Sequence, residues 1–138
     1  MAETVEFELV SPERLVVSRP ATMVIMPGSQ GYFGAQPGHA PLIATLGPGV
    51  VDLYEGDQIT DRIFVAGGVA EVTETRCTVL AEEATPVAQI DRAEAEQQVR
   101  DLSEDVDDSK SDSERQAIQA RLAIARAKLE AVTGQPVV

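Results

Sequence analysis

The sequence predicts an α+β protein in which a β-sandwich or barrel is followed by two antiparallel helices. Composition changes near Thr85-Pro86, before which nine of the ten glycines and six of the eight prolines occur. Apolar residues alternate with polar ones in the first part, and they recur at spacings of three and four in the second. We therefore expect a strand-rich domain over residues 1–86 and a helical hairpin over residues 87–138.

The first part contains short apolar segments separated by turn-forming residues. Val5, Phe7 and Leu9 alternate with glutamates, which predicts a strand with one buried and one solvated face. Glu55-Gly56-Asp57 is typical of a hairpin loop, and Gly67-Gly68 offers a second tight turn. Further strands are predicted over residues 23–26, 50–54, 58–66, 69–73 and 76–81. Many short strands with glycine and proline turns indicate a sandwich or barrel.

Two helix starts are predicted in the second part. Asp91 has a glutamate three residues later, and so does Ser111, which is the pattern of a capped helix N-terminus. The six polar residues 107–112 separate the two helical patterns. A short polar connection of this kind favours antiparallel packing of the helices.

The two helices carry narrow apolar stripes, and the second helix has a predicted end. The stripe residues are Ala95, Val99, Leu102 and Val106 in the first helix, and Ile118, Leu122, Ala125, Leu129 and Val132 in the second. Gly134 and Pro136 predict the end of the second helix. Arg126 and Lys128 suit the negative end of its dipole.

Charge and composition exclude several functions. The formal net charge is −12, so the surface repels nucleic acids and anionic lipid headgroups. No run approaches the 18 apolar residues that a membrane span needs, so we expect no direct membrane insertion. Cys77 is the only cysteine, and because it alternates with Val79 and Ala81 we expect a buried thiol.

No motif in the sequence indicates catalysis, a metal site or a cofactor. His39 is the only histidine and has no nearby nucleophile motif. The glycine-rich residues 27–49 lack a phosphate-binding motif, which favours turns or close backbone approach. The acidic segment from Asp105 resembles a calcium loop, but Lys110 and Gln116 replace its required glycine and glutamate. We therefore expect no catalytic residue, metal or cofactor.

One block of residues is more specific than these patterns. It runs from Pro27-Gly28 through Gly31 and Gly34 to Pro37-Gly38-His39-Ala40-Pro41-Leu42, and continues to Leu46 and Gly49. Together with Ser11-Pro12-Glu13-Arg14 before it and the segments 64–69, 78–82 and 90–91 after it, this block resembles the epsilon subunit of F-type ATP synthases. The resemblance extends over essentially the whole chain.

The resemblance implies a fold and a function. The fold is a ten-stranded β-sandwich followed by a C-terminal helix hairpin. The function is that of a non-catalytic subunit of the rotor's central stalk, which helps couple proton-driven rotation to ATP synthesis. The sandwich would contact the gamma subunit and the ring of c subunits.

The resemblance also indicates interface residues. The glycine-rich loops would face the c ring or the gamma foot, and the candidate interface residues are Gly31, Tyr32, Phe33, Pro37, Gly38, His39, Ala40, Pro41 and Leu42. In family members an acidic residue often precedes the Pro-Gly-His run and meets the ring. Tyr32 stands at the matching place, so that contact must differ here.

The resemblance also implies a regulatory role for the hairpin, as in many members of the family. It can extend along gamma and block ATP hydrolysis, with basic residues meeting the alpha/beta head. The matching cations are Arg115, Arg121, Arg126 and Lys128, but residues 87–138 contain eleven Asp/Glu against seven Lys/Arg. We therefore hypothesise that inhibition is weak.

Some relatives bind ATP at the start of the first helix. Ile90, Asp91 and Ala95 match the motif, but Glu94 replaces its arginine and would repel a triphosphate. We predict absent or weak ATP binding.

Two alternative functions stay open: an ATP-sensing regulatory module and an unrelated sandwich that binds a small molecule or sugar. The second would have only five aromatic residues for stacking.

The mitochondrial counterpart has a cleaved presequence and this chain shows none. We therefore expect a bacterial or chloroplast-encoded protein, peripheral on the cytoplasmic face of the bacterial inner membrane as part of the synthase.

Overall fold

The computed structural model describes residues 3–134, in which ten strands precede two helices. The strands are β1 (Val5–Val10), β2 (Leu15–Ala21), β3 (Met23–Gly28), β4 (Gly31–Ala35), β5 (Leu42–Leu46), β6 (Gly49–Glu55), β7 (Gln58–Val65), β8 (Gly68–Val72), β9 (Arg76–Ala81) and β10 (Ala84–Pro86). A 3-10 turn (Val87–Gln89) precedes the helices α1 (Arg92–Asp107) and α2 (Asp112–Thr133). The chain divides into two compact units, Met1–Pro86 and Val87–Val138.

The ten strands form two layers that share one corner strand. Their hydrogen-bonded order is β10-β7-β6-β3-β5-β8-β9-β1-β2, and β4 also pairs with β3. The start of β3 pairs with β6, and its end pairs with β5 through Gly28 and Leu46. A strand that switches partners in this way turns the corner between two layers. The ten-stranded sandwich and the two-helix hairpin are therefore confirmed.

The core lies between the two layers and is almost entirely aliphatic. Val5, Phe7 and Leu9 are fully buried, as their alternation with glutamates predicts. Buried side chains from both layers join them, including Val24, Met26, Val51, Leu53, Ile63, Val65, Val72 and Val79. At the rim, Arg19 on β2 donates to Asp61 on β7 at 2.9 Å, which links strands near opposite ends of the sheet order.

Four strands were not predicted individually: β2, β4, β5 and β10. Strand β2 contains Pro20, which only an edge strand tolerates well, and β2 is an edge of the sheet. Strands β4 and β5 lie in the glycine-rich segment that was predicted as turns. That prediction holds for Gly31 and Gly38, whose φ angles are +131° and +86°. Pairing with β3 and β8 makes the residues around them strands.

The helical hairpin confirms the predicted stripes and caps. Asp91 accepts a hydrogen bond from the Glu94 amide, and Ser111 accepts one from the Glu114 amide. A small cluster of Leu102, Leu122 and Ala125, flanked by Val99, Val106 and Ile118, packs the helices together.

The C-terminal end of α2 differs in one respect from the prediction. Gly134 adopts the left-handed conformation with φ 73°, and its amide donates to the Glu130 carbonyl. Since α2 continues to Thr133, Arg126 and Lys128 lie before its last turn, which contains no basic residue. The predicted dipole role of these two cations is therefore wrong, because the effect is confined to the last turn. Pro136 lies outside the described residues.

Within residues 3–134 there is no helix long and apolar enough to cross a bilayer.

Candidate interaction surface

The predicted interface block is split between the two ends of β4. Gly31, Tyr32 and Phe33 lie at the β3–β4 turn, whereas residues 37–41 lie in the loop that leads from β4 into β5. Strand β4 spans about 13 Å at a rise of ~3.3 Å per residue. The block therefore forms two separate patches, which a contiguous stretch of sequence does not suggest.

At the β3–β4 turn, Tyr32 is held against the start of β6. Its hydroxyl accepts a hydrogen bond from the Val50 amide at 3.2 Å. A Cβ at Gly49 would stand 2.6 Å from this hydroxyl and 2.6 Å from the Pro27 Cβ, so only glycine leaves room for the tyrosine. Tyr32 is nevertheless 61% exposed, and it borders a shallow groove that is also lined by Ser29, Gln30, Phe33 and Thr45.

At the other end of β4, the Pro-Gly-His loop is tied to the β8–β9 turn. The Gly38 amide donates to the Glu74 carbonyl at 2.8 Å, and the His39 amide donates to the Gln36 carbonyl at 3.1 Å. His39 Nδ1 lies 2.6 Å from the Ala40 carbonyl oxygen. Because a carbonyl only accepts, Nδ1 carries the proton. Within residues 3–134 no carboxylate or hydroxyl is hydrogen-bonded to this ring, so the histidine fixes a loop and is not part of a catalytic triad.

Another exposed apolar surface lies elsewhere, on the outer face of the layer formed by β5, β8, β9, β1 and β2. The strand register aligns one residue from each of five neighbouring strands: Thr45 on β5, Val69 on β8, Leu80 on β9, Val10 on β1 and Leu15 on β2. Ile43 lies two residues before Thr45 on the same face. Exposure is 55% for Leu15, 72% for Ile43, 41% for Val69 and 57% for Leu80. We call Val10, Leu15, Ile43, Val69 and Leu80 the outer apolar patch.

Carboxylates flank this patch on both sides. Glu71 and Glu8 each lie two residues from a patch residue, on β8 and β1, and Glu82 follows Leu80 two residues later. Arg76 Nη1 approaches Glu8 Oε1 at 3.7 Å. We call Glu8, Glu71 and Glu82 the acidic rim.

The outer apolar patch was not among the predicted interface residues, although the sequence contains a signal for it. Cys77, Val79 and Ala81 alternate into the core, so Leu80 must face outward. A single aliphatic residue on the solvent side of a strand is ordinary, and it becomes informative only when neighbouring strands add others to form a patch. The sequence does not place Val69 in this patch, because Val69 joins it only through its pairing opposite Leu80.

The four hairpin cations lie on α2 but not on one face. Arg115 and Arg126 are eleven residues apart, about three turns, and share one side of the helix. Arg121 and Lys128, seven residues apart, share another, and the apolar stripe with Leu122 runs between the two sides. Arg115 is exposed and pairs with Asp112 at 3.3 Å. Arg121 is exposed, whereas Arg126 and Lys128 are half-buried.

The remnant of the nucleotide motif has structural roles. Asp91 caps α1, and Ala95 is buried. Ile90 is half-buried, and its amide donates to the Val87 carbonyl at 3.1 Å. Arg92 forms an ion pair with Glu96 at 2.9 Å, one turn further along the same helix.

Cys77 is buried beside Met26, with its Sγ 3.7 Å from the methionine Sδ. Burial raises the pKa of this thiol from 9.0 to about 12. The predicted buried cysteine is confirmed. Within residues 3–134, no group of three or more His, Cys, Asp or Glu side chains could hold a metal ion.

A β-sandwich with an exposed apolar face, followed by a capped helical hairpin, is typical of an interaction subunit. Two family models match: the beta-sandwich domain of the ATP synthase Delta/Epsilon chain over residues 4–87, and the C-terminal domain of the ATP synthase epsilon chain over residues 91–137. The protein therefore belongs to the ATP synthase epsilon-chain family. It is a non-catalytic, rotor-stalk subunit of the synthase.

Relatives and solved structures agree with this assignment. The ATP synthase epsilon chain of Rhodospirillum centenum is 54% identical, covering 98% of this chain and 96% of its own length. That of Rhodospirillum rubrum is 52% identical, and the match covers 96% of both sequences.

Two mitochondrial ATP synthase structures share the fold. A chain of the Euglena gracilis OSCP/F1/c-ring structure matches with a TM-score of 0.80 at 20% identity, covering 98% of this chain and 84% of its own. A chain of the Tetrahymena thermophila central stalk/c-ring structure matches with a TM-score of 0.63 at 13% identity, covering 93% and 96%.

Proposed function

We propose that this subunit joins the gamma subunit to the c ring and thereby helps couple proton-driven rotation to ATP synthesis. The observation that carries the proposal is the outer apolar patch. Four large aliphatic side chains between 41% and 72% exposed lie on one rigid sheet face. A contiguous apolar surface of this kind is typical of a protein interface, whereas single exposed apolar residues are ordinary.

Gamma is the partner that we assign to the outer apolar patch. The Pro-Gly-His loop supports this assignment, because it leads directly into β5 and its exposed Ile43. The hydrogen bond that the Gly38 amide donates to the Glu74 carbonyl also holds the loop beside the β8–β9 turn of the same layer. The loop therefore lies at one end of the layer that carries the patch.

The β3–β4 turn is the surface that we assign to the c ring. It lies at the far end of β4 from the Pro-Gly-His loop, so one subunit can contact two partners at once. Tyr32 offers an exposed ring and a hydroxyl where the family often has a carboxylate. A contact made through this aromatic ring depends less on salt than an ion pair would.

A single charge inside the patch tests the gamma assignment. Leu80→Asp places a carboxylate in the centre of the apolar surface, and Ile59→Asp is the matched control on β7, where Ile59 is 44% exposed. We expect Leu80→Asp to weaken binding to an epsilon-depleted synthase by at least ~30-fold, about 2 kcal/mol, as for an interface hot spot. The control should bind normally. Interferometry measures the binding, and proton pumping measures the function of the reconstituted synthase. Equal binding and equal pumping with both variants would refute the assignment.

We further propose that the subunit is peripheral on the cytoplasmic face of a bacterial inner membrane, held there by the synthase. The two Rhodospirillum relatives, 54% and 52% identical, are bacterial epsilon chains. The formal charge of −12 disfavours direct binding to anionic lipid. Membrane fractionation tests this: the protein should stay with membranes that retain gamma and be released when the catalytic head is stripped.

A further inference from the structure

We propose that the gamma surface covering the outer apolar patch carries cationic groups on both sides of an apolar strip, and that the acidic rim steers its association. This inference rests on the proposed contact with gamma. It starts from the alternation of β8 and β1, which places Glu71 and Glu8 in line with the patch, while Glu82 lies one residue beyond the end of β9. Glu71 follows Val69 by two residues, Glu8 precedes Val10 by two, and Glu82 follows Leu80 by two.

The rim charges are poorly neutralised from within the protein. Glu8 has Arg76 at 3.7 Å, a long and exposed pair. Glu71 and Glu82 are exposed, and no ion pair involves them within residues 3–134. Arg14, in the turn between β1 and β2, lines one pocket with Glu13, Glu82 and Glu83, so the charged side chains of that pocket are net acidic.

These charges discriminate among possible occupants. A second copy packed through the same patch would place the acidic rims of both copies in one interface, because a two-fold interface uses the same surface of both subunits. Nucleic acid and anionic lipid would meet the same repulsion. A protein surface with an apolar centre and cationic flanks satisfies both features. Gamma must therefore present Lys or Arg side chains opposite Glu71 and Glu82.

Rim charges and the apolar centre affect different rate constants. Exposed charges around an interface act mainly on the association rate and on its salt dependence. Buried apolar contacts act mainly on dissociation. The acidic rim therefore accelerates docking of the subunit on gamma, while the outer apolar patch retains it.

The test is the kinetics of full-length subunit binding to an epsilon-depleted, gamma-containing synthase between ~20 and ~300 mM salt. The variant is Glu71→Gln with Glu82→Gln. The matched control is Glu55→Gln with Asp57→Asn, which removes the same charge at the exposed β6–β7 turn. We expect the rim variant to associate about 5–10-fold more slowly at low salt, with unchanged dissociation and a flatter salt dependence. The control should slow association less than about twofold.

The outcomes separate this inference from the proposed function. If Leu80→Asp abolishes binding but the rim variant associates like wild type at every salt concentration, gamma covers the patch and the steering inference is wrong. If Leu80→Asp binds normally, the gamma assignment fails and the inference fails with it. Sedimentation showing a dimer of the free subunit that Leu80→Asp disrupts would identify a second copy as the occupant and would overturn both.

Discussion

At the scale of single residues, the conformation of the β3–β4 turn depends on a glycine as much as on the tyrosine that it exposes. The β3–β4 turn can hold Tyr32 against β6 because Gly49 has no Cβ. The hydrogen bond between the tyrosine hydroxyl and the Val50 amide then fixes the ring. One glycine outside the Pro-Gly-His run thus determines where the exposed aromatic ring lies.

Gly49→Ala should displace Tyr32 and destabilise the fold. The added methyl would lie 2.6 Å from both Pro27 Cβ and Tyr32 Oη. We expect a loss of about 1–3 kcal/mol in the free energy of unfolding, which is the range for overpacking. Gly47→Ala is the matched control, because its Cβ would meet nothing closer than 4.0 Å. Urea denaturation measures both, and an equal effect of the two substitutions would contradict this account.

Cys77 makes the stability sensitive to alkaline pH. The folded thiol has its pKa raised from 9.0 to about 12 by burial, so the folded state binds its proton more tightly than the unfolded state. This contribution is complete below pH 9 and is lost as pH rises toward 12, with a slope of at most ~1.4 kcal/mol per pH unit.

The measurement is urea denaturation across about pH 8–11 for the wild type and Cys77→Ala, a window that brackets the onset of thiol ionisation in the unfolded state. Because the other titrating groups are common to both proteins, the difference between the curves isolates the thiol. Stability of the wild type should decline more steeply above pH 9. Parallel curves would show that the thiol does not ionise on unfolding in this window. A thiol reagent should react at neutral pH only after unfolding.

At the scale of elements, the hairpin is defined by its ends. The cluster that joins α1 and α2 is small, and its buried members are Leu102, Leu122 and Ala125. The caps formed by Asp91 and Ser111 satisfy amides that would otherwise lack partners at the helix N-termini. A hairpin with so little apolar contact between its helices therefore depends strongly on these caps.

Ser111→Ala should destabilise α2 by about 1 kcal/mol, because it removes the acceptor for the Glu114 amide. Amide hydrogen exchange in the first turn of α2 is the appropriate measurement, since it reports local opening. Gln116→Ala, at an exposed position within the same helix, is the control and should change exchange little. Unchanged protection in Ser111→Ala would show that the cap contributes nothing.

The start of α1 supports the prediction of absent or weak ATP binding. Asp91 is used as the helix cap, and Glu94 brings a carboxylate into the first turn. Calorimetric titration of the full-length protein with MgATP should give no saturable binding at micromolar concentrations. A micromolar dissociation constant would refute the prediction and favour the ATP-sensing alternative. Glu94→Gln tests the cause, since removing the repelling charge should raise any residual affinity.

At the scale of the whole molecule, the hairpin charge governs the expected regulation. Residues 87–138 contain eleven acidic and seven basic residues, and the four candidate cations lie on two sides of α2. They cannot all face one acidic surface of the catalytic head while the helix is straight. We therefore expect weak inhibition of ATP hydrolysis by the hairpin.

Deleting residues 87–138 should raise the ATPase activity of the assembled synthase by less than about threefold, or under ~0.7 kcal/mol in activation free energy. The full-length variant Arg115→Gln with Arg121→Gln tests two of the candidate cations separately, because it removes these exposed charges without removing the helix. A many-fold increase on deletion would show that the hairpin inhibits strongly.

Residue spacing along the chain is enough to predict the fold class, the helix caps, the buried face of β1 and the burial of Cys77. Each of these follows from local spacing, since side-chain direction along a strand or helix is periodic. The specific Pro-Gly-His block carried the family resemblance. It could not show that its residues divide between the two ends of β4, because that separation depends on pairing with β3 and β8.

The grouping of exposed residues into one surface follows from the three-dimensional fold. Strand register brings together five aliphatic residues that lie on five strands and are far apart in the sequence: Val10, Leu15, Ile43, Val69 and Leu80. A shift of one residue in any of these pairings would turn that strand's aliphatic residue into the core. Spacing along one strand predicts which face a side chain occupies, but neighbours across strands are set by long-range hydrogen bonds.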